Sequence, residues 1–243
     1  MNKLLKQKLV SAAFLIIGDE ILSGRTKDEN LHFLAQNLTE IGINLREVRV
    51  VADNHSEIIT AVNQLRSRHD YVFTSGGIGP THDDITSAAI ADAFGKKLEK
   101  NSEAEAILYK FYGKDGVNEA RLKMAFVPEG AELLDNPVSS APGFKMENVF
   151  VMAGVPKIFQ AMLHAAKNLL SGGVKIRSQE IKTGLTESII AKDLSRLQDQ
   201  FKEVAIGSYP FGGGTSLVFR SAFPDKIEEA MAKMKLIIES LTK

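Results

Sequence analysis

Hydrophobic and polar positions alternate along the chain in a way that predicts strands and helices in turn. Apolar runs at residues 12–17 and 71–73, and the segment Ile43–Val51, predict strands of a sheet that is covered on both faces. The intervening segments carry apolar residues at helical spacing; these are Leu31, Leu34, Leu38, Ile58, Val62 and Leu65. Strands that alternate with amphipathic helices indicate right-handed βαβ units and an open, mostly parallel sheet in a three-layer α/β fold.

The middle of the chain is richer in turns and predicts shorter elements. Ser102 and Glu105 have the spacing of a capping box before a helix. Residues 119–126 are expected to be helical and residues 144–152 to form one strand. Pro156 is expected in the first turn of the following helix, where the missing backbone N–H costs nothing.

The pattern changes at Ser171-Gly172-Gly173, which predicts a domain at residues 1–172 and a second one at 173–243. The second domain is expected to be a small α+β unit of βαββα order. Its expected elements are a strand at 174–182, a helix at 186–201, strands at 204–209 and 215–221, and a final helix that begins near Asp225.

Composition narrows the functional classes. Lysine plus arginine and aspartate plus glutamate number 30 each, so electrostatics predict neither a nucleic-acid nor an anionic-membrane partner. The chain has no cysteine, which excludes thiol catalysis and cysteine-ligated zinc and fits a cytoplasmic protein. Lys3, Lys6 and Lys8 precede the run at 12–17 as in a signal peptide, but that run is short and we expect it to be the first strand.

The stretch at residues 71–86, YVFTSGGIGPTHDDIT, carries the chemistry. A strand is followed by Gly76, Gly77 and Gly79, and a helix is expected to begin near Asp83 or Asp84. Backbone N–H groups of such a loop and the positive end of a helix dipole favour an anion such as phosphate. The other hydrogen-bonding candidates for ligand oxygens are Ser23, Thr74, Ser75 and Thr81.

Carboxylates follow the first three predicted strands. Asp19 and Glu20 follow the first strand, Asp53 the second, and Asp83 and Asp84 the third. The carboxyl ends of parallel strands share one sheet edge, so we expect these groups to meet there. Asp19, Glu20, Asp83 and Asp84 are the candidate ligands of a hard divalent cation that also binds phosphate.

Structural explanations compete with each of these assignments. Glycine is the usual residue of any tight turn, Asp83 and Asp53 are good helix caps, and Asp84 suits the first turn of a helix. The loop lacks the Gly-Lys-Ser/Thr of a Walker loop, and His82 stands where the last glycine of the dinucleotide fingerprint belongs.

The segment at residues 76–86, GGIGPTHDDIT, resembles the signature of the MoaB/Mog molybdopterin-binding domain. The version it most resembles is that of the competence/damage-inducible protein A (CinA) family and of the N-terminal half of eukaryotic FAD synthases. Further similar segments are GDEILSG at 18–24, NPVSSAPGF at 136–144, which contains Gly143, and GVP at 154–156, which contains Pro156. The resemblance implies that Gly143 and Pro156 bind ligand, and that Asp53 and Asp84 match the acidic residues of the family's site.

The resemblance implies two reactions. In the CinA and FAD-synthase branch it is metal-dependent cleavage of the pyrophosphate in ADP-ribose or FAD, with Mg²⁺, Mn²⁺ or Co²⁺ as cofactor. In the molybdopterin branch it is adenylylation of a pterin phosphate by Mg-ATP. The segment at 136–144 and the C-terminal domain favour the first branch, with Asp84 and Asp53 as catalytic residues. A silent ligand-binding module is the third hypothesis. The expected partners are a nucleotide or pterin phosphate and further copies of the chain in a dimer or trimer.

Overall fold

The computed structural model describes residues 9–242, so Lys3, Lys6 and Lys8 lie outside the described part. Contacts divide the chain into two compact units, one ending at Gly173 and one beginning at Val174. The strands are β1 Val10–Ile17, β2 Ile43–Val51, β3 Tyr71–Ser75, β4 Leu98–Lys100, β5 Phe126–Pro128, β6 Glu132–Leu134, β7 Gly143–Met146, β8 Val149–Met152, β9 Arg177–Thr183, β10 Ala205–Phe211 and β11 Gly214–Ser221. The helices are α1 Asp19–Leu22, α2 Asn30–Glu40, α3 His55–Arg66, α4 Thr86–Ala93, α5 Ser102–Tyr112, α6 Glu119–Lys123, α7 Pro156–Ala166, α8 Glu187–Gln200 and α9 Pro224–Leu241.

The first unit is built on a six-stranded sheet in the order β2-β1-β3-β8-β7-β6. The pairs β1–β2, β1–β3 and β3–β8 are parallel, whereas β7 pairs antiparallel with both β8 and β6. The antiparallel strands thus extend one edge of a parallel sheet. The predicted mostly parallel α/β fold is confirmed.

Strand β1 shows why this sheet has a helical layer on each face. Ala13, Leu15 and Ile17 belong to one core, together with α3 and α4 residues such as Ile58 and Ile90. Alternate residues of the same strand, including Phe14, belong to a second core with residues of α2 and α7. Side chains of a strand point alternately to opposite faces, so a continuous apolar run serves both cores.

Two predicted elements of the middle region are wrong in detail. The strand expected at 144–152 is a hairpin, because the chain reverses at Glu147, whose φ is 51°. The helix expected at 119–126 ends at Lys123, and Phe126 begins a strand that pairs with β4. Strands that pair over only three or four residues are too short for a hydrophobic alternation to be recognised in the sequence.

The start of α5 also differs from the prediction. The side chain of Asn101, rather than Ser102, caps this helix by accepting hydrogen bonds from the N–H groups of Glu103 and Ala104, each at 3.0 Å. An asparagine oxygen is among the best acceptors at that position, so the capping box is not used.

The second unit has the predicted βαββα order. Its antiparallel sheet runs β10-β11-β9, and α8 and α9 supply Ile190 and Ile227 to the core beneath it, where they meet Leu217 and Phe219. The strand expected at 174–182 begins only at Arg177. No helix in the described part of the chain is long and apolar enough to cross a membrane.

Candidate functional site

A cleft of about 720 Å³ lies in the first unit, at the carboxyl ends of the parallel strands. Glu20 lines it after β1, Asp53 after β2, and residues 76–80, 83 and 84 after β3. Parallel strands end at one edge, so residues far apart in the chain meet here, as the sequence predicts. Pro156 also lines the cleft, from the first turn of α7.

Gly76 allows β1 and the loop after β3 to approach each other. Its φ is 108°, and a Cβ atom there would lie 2.1 Å from the Ile17 carbonyl oxygen. The N–H of Gly76 donates to the Met152 carbonyl at 3.1 Å. The fold therefore leaves no room for a side chain at this residue. Its N–H is already bonded within the protein, so Gly76 has no N–H to offer a ligand.

Gly77 lies against the start of α4. Its φ is 69°, and a Cβ would stand 2.1 Å from Thr86 Oγ1. Thr86 donates its hydroxyl to the Gly76 carbonyl at 3.0 Å and its N–H to the Gly77 carbonyl at 2.9 Å. The first amide of the helix therefore binds the loop rather than a ligand.

The available donors are instead in the loop itself. Gly77, Ile78 and Gly79 line the cleft, and their N–H groups have no acceptor within residues 9–242. Consecutive unpaired N–H groups in a concave turn are a recurrent anion-binding arrangement.

Asp84 is not a residue of the helix, because α4 begins two residues later, at Thr86. Its Oδ2 accepts a hydrogen bond from the Thr81 N–H at 2.7 Å and another from the Thr81 hydroxyl. A Cβ on Gly79 would stand only 2.7 Å from the same oxygen. Thr81 therefore positions Asp84 at the cleft, and Gly79 leaves room for it. Asp83 is exposed, lines the cleft and is likewise outside the helix.

Asp53 is half-buried and does not cap α3. Asn54 does, since its Oδ1 accepts from the N–H groups of Ser56 and Glu57 at 3.1 Å. Asp53 Oδ2 accepts instead from the Asp19 N–H at 3.0 Å, which ties the ends of β1 and β2 together.

The pKa of Asp53 is raised above the usual aspartate value. Burial is the main cause, and the negative charges of Asp19, Glu20 and Asp83 raise it further, against the lowering effect of the Asp19 N–H. Carboxylates from three loops are thus close enough to repel one another. A bound cation would relieve that repulsion.

Within residues 9–242, no three Asp, Glu or His side chains come together as a metal-binding group. Magnesium commonly uses one or two carboxylates together with substrate phosphates and water. The carboxylates here fit a cation that binds together with a phosphate ligand.

Other predicted site residues lie outside the cleft lining, which contains none of Asp19, Ser23, Thr74, Ser75, Thr81 and Gly143. The Ser75 hydroxyl accepts a hydrogen bond from the Asn30 side chain at 2.8 Å, and Thr74 is fully buried. Gly143 permits close packing, since its Cβ would lie 2.5 Å from the Val151 carbonyl oxygen. Ser23 is exposed.

Arg121 is a charged cleft residue that the sequence reasoning missed. Arg121 lines the cleft from α6, and its guanidinium carbon lies 4.1 Å from the centre of the Tyr112 ring, which also lines it. A short helix with ordinary charged residues carries no sequence signal for such a position. Asn136, which begins the segment at 136–144 noted in the sequence, also lines the cleft. Its side chain holds the 136–141 loop through the Ser139 hydroxyl and the Ala141 carbonyl.

Two family models match the chain. A probable molybdopterin binding domain matches residues 13–172, and the FAD synthase middle domain matches residues 175–241. These spans correspond closely to the two structural units.

Relatives and a solved structure agree with these matches. Protein PH0439 of Pyrococcus horikoshii is 37% identical over 221 residues, which is 85% of this chain and 86% of that protein. A probable FAD synthase of Caenorhabditis elegans is 34% identical over 82% of this chain but only 44% of its own length. The crystal structure of CinA from Thermoplasma acidophilum, a protein with unknown function, is 36% identical with a TM-score of 0.62, covering 65% of this chain and 96% of that one. The resemblance noted in the sequence is thereby confirmed, and the chain belongs to the family of probable molybdopterin binding domains, joined here to a FAD synthase middle domain.

Proposed function

We propose that this chain binds a nucleotide or pterin phosphate in the cleft and, with a divalent cation, hydrolyses the pyrophosphate bond of ADP-ribose or FAD. The observation that carries the proposal is the meeting of three unpaired loop N–H groups with Asp53 and Asp84 in one cleft. Phosphoryl transfer requires positioning and charge stabilisation more than covalent chemistry, and this arrangement can supply both.

In this proposal the loop N–H groups of Gly77, Ile78 and Gly79 bind a phosphate oxygen. Asp84, held by Thr81, and its neighbour Asp83 or Glu20 would hold Mg²⁺, Mn²⁺ or Co²⁺. When bound, such a cation polarises the phosphoryl group and lowers the pKa of the attacking water.

Asp53 takes the proton in this scheme. Its Oδ2 is engaged by the Asp19 N–H, which leaves Oδ1 to accept a proton from water. A carboxylate whose pKa is raised by burial is a better base than an ordinary one. The water oxygen bonds to one phosphorus, and the bridging P–O bond breaks. ADP-ribose then yields AMP and ribose 5-phosphate, and FAD yields AMP and FMN.

The test is release of AMP from ADP-ribose, FAD, NAD and ATP, each with Mg²⁺, Mn²⁺, Co²⁺ or EDTA. We expect AMP from ADP-ribose or FAD and none with EDTA. The rate in Asp84→Asn should be about 100-fold lower, because the cation loses a carboxylate that holds it. Asp199→Asn, an exposed aspartate of the second unit, is the charge-matched control. Full activity of Asp84→Asn would contradict the assignment.

The alternatives give different outcomes in the same assays. Joint consumption of ATP and a pterin phosphate would indicate molybdopterin adenylylation. Nucleotide binding without turnover under every metal would indicate a binding module. Assembly into a dimer or trimer stays a prediction, and light scattering of the purified chain tests it.

A further inference from the structure

Arg121 is the positively charged residue of the cleft. The described lining contains the carboxylates of Glu20, Asp53, Asp83 and Asp84, and Arg121 is its one Lys or Arg side chain. The nearby Lys123 donates to the Thr81 carbonyl and lines a separate, smaller pocket. A cleft with four carboxylates repels phosphate unless a cation compensates.

The Arg121 guanidinium is held in place without being neutralised. Its Nη1 donates to the Gly116 carbonyl, and its guanidinium carbon lies over the Tyr112 ring, 4.1 Å from the ring centre. It forms no salt bridge with any residue of the described chain, although four carboxylates share the cleft. Most of its five N–H donors are therefore available to a ligand.

The loop before α6 is shaped to hold this arginine. A Cβ on Gly116 would lie 2.1 Å from the Tyr112 carbonyl oxygen, so only glycine lets the chain pass there. That passage places the Gly116 carbonyl where Nη1 meets it. Restraint by a ring and a carbonyl reduces the side-chain entropy that ligand binding would otherwise cost.

We infer that Arg121 forms a second anion subsite in the cleft, in addition to the N–H groups of Gly77, Ile78 and Gly79, and that the ligand is a diphosphate engaging both. This inference rests on the phosphate site of the proposed function but not on hydrolysis. A planar guanidinium suits two phosphate oxygens at once. A monophosphate can satisfy only one of the two subsites, so the cleft selects diphosphates such as the linkage of ADP-ribose or FAD.

The test is calorimetric binding, with Mg²⁺ present, of inorganic pyrophosphate and ADP-ribose against inorganic phosphate and ribose 5-phosphate. We expect Arg121→Gln to weaken the two diphosphates at least tenfold and the two monophosphates less than threefold. Arg121→Lys keeps the positive charge but loses the planar guanidinium. Its affinity for the two diphosphates should lie between that of Arg121→Gln and that of the natural protein. Lys114→Gln removes an exposed positive charge from the same segment and is the matched control.

A second pair of variants tests positioning. Tyr112→Leu removes the ring that supports the guanidinium and is expected to weaken pyrophosphate binding severalfold, whereas Tyr112→Phe keeps the ring and loses less. The salt dependence of binding should also fall in Arg121→Gln, since one ion contact is lost. Circular dichroism establishes that each variant is folded.

Each outcome decides the inference. Equal weakening of diphosphates and monophosphates, or no change in either, would overturn it, as would a natural protein that binds pyrophosphate no better than phosphate. Selective, Arg121-dependent binding without hydrolysis would uphold the subsite and refute the proposed reaction. Hydrolysis by the natural protein, with an Arg121→Gln variant whose pyrophosphate binding and KM are unchanged, would refute the subsite and uphold the proposed reaction.

Discussion

Two glycine-rich loops in this molecule serve different purposes. The first, at residues 76–79, follows the parallel strand β3 and lines the cleft. The second, at residues 212–214, turns the antiparallel strand β10 into β11, and Phe211 pairs with Gly214 across it. Glycine at Gly214 lets the turn approach β9, because a Cβ there would lie 1.9 Å from the Thr183 carbonyl oxygen.

The difference between them is in their surroundings rather than their composition. Both loops contain glycines with positive φ, so both need glycine for backbone reasons. Only the first lies at the carboxyl end of a parallel strand, where neighbouring strands bring Glu20 and Asp53 to the same cleft. A glycine loop becomes a candidate phosphate site when its free N–H groups face a concave, charged surface.

The largest expected effect is at Gly77. Gly77→Ala places a Cβ 2.1 Å from Thr86 Oγ1 at a φ of 69°. We expect a loss of about 1–3 kcal/mol in the free energy of unfolding of the first unit, and at least tenfold weaker pyrophosphate binding. Urea unfolding and calorimetry measure the two.

Gly212→Ala is the matched control in the second loop, since a Cβ there meets nothing within 4 Å. It should change neither quantity beyond about 0.5 kcal/mol. If both substitutions had the same effect on binding, the two loops would not differ as described.

A smaller effect on stability is expected at Gly79, where a substitution disturbs only the carboxylate of Asp84. Gly79→Ala places a Cβ 2.7 and 3.0 Å from the two Asp84 oxygens, in an ordinary backbone conformation. The carboxylate must move, so the rate of AMP release should fall roughly 10- to 100-fold. Stability should change by less than about 0.5 kcal/mol. A rate unchanged at both low and high Mg²⁺ would show that the position of Asp84 does not matter.

The smallest expected effect concerns the charge of Asp53, which lines the same cleft as the first glycine loop. The folded pKa of Asp53 is raised, so its ionised form lowers stability, and that cost appears as the pH rises through the folded pKa. Without metal, Asp53→Asn should therefore stabilise the first unit by roughly 0.5 kcal/mol at pH 7. The gain should vanish below the ordinary aspartate pKa.

Thermal unfolding at pH 3 and pH 7 in EDTA measures this difference. Saturating Mg²⁺ should reduce it, because a cation held by the neighbouring carboxylates offsets the negative charge that repels Asp53. A variant that is less stable than the natural protein at pH 7 in EDTA would contradict the repulsion described here.

Sequence reasoning found the strand ends of the cleft because that information is local. The glycines after β3 and the acids after β1 and β2 each sit next to an apolar run, and parallel topology brings such ends to one edge. It did not find Arg121, which lies on the short helix α6 between β4 and β5. These two strands pair over only three residues, too few for a hydrophobic period to appear in the sequence. Nor did it find that Thr81 acts through Asp84.

The sequence by itself determined the layers, the alternation of strands and helices, and the βαββα form of the second unit, because apolar periodicity dictates which faces must be buried. Only the tertiary structure decided which polar groups stay free for a ligand. The Gly76 amide is taken by Met152 and the first amide of α4 by Gly77, whereas the amides of residues 77–79 are left over. Hydrogen-bond partners from distant parts of the chain are chosen by packing, so a local pattern cannot assign them.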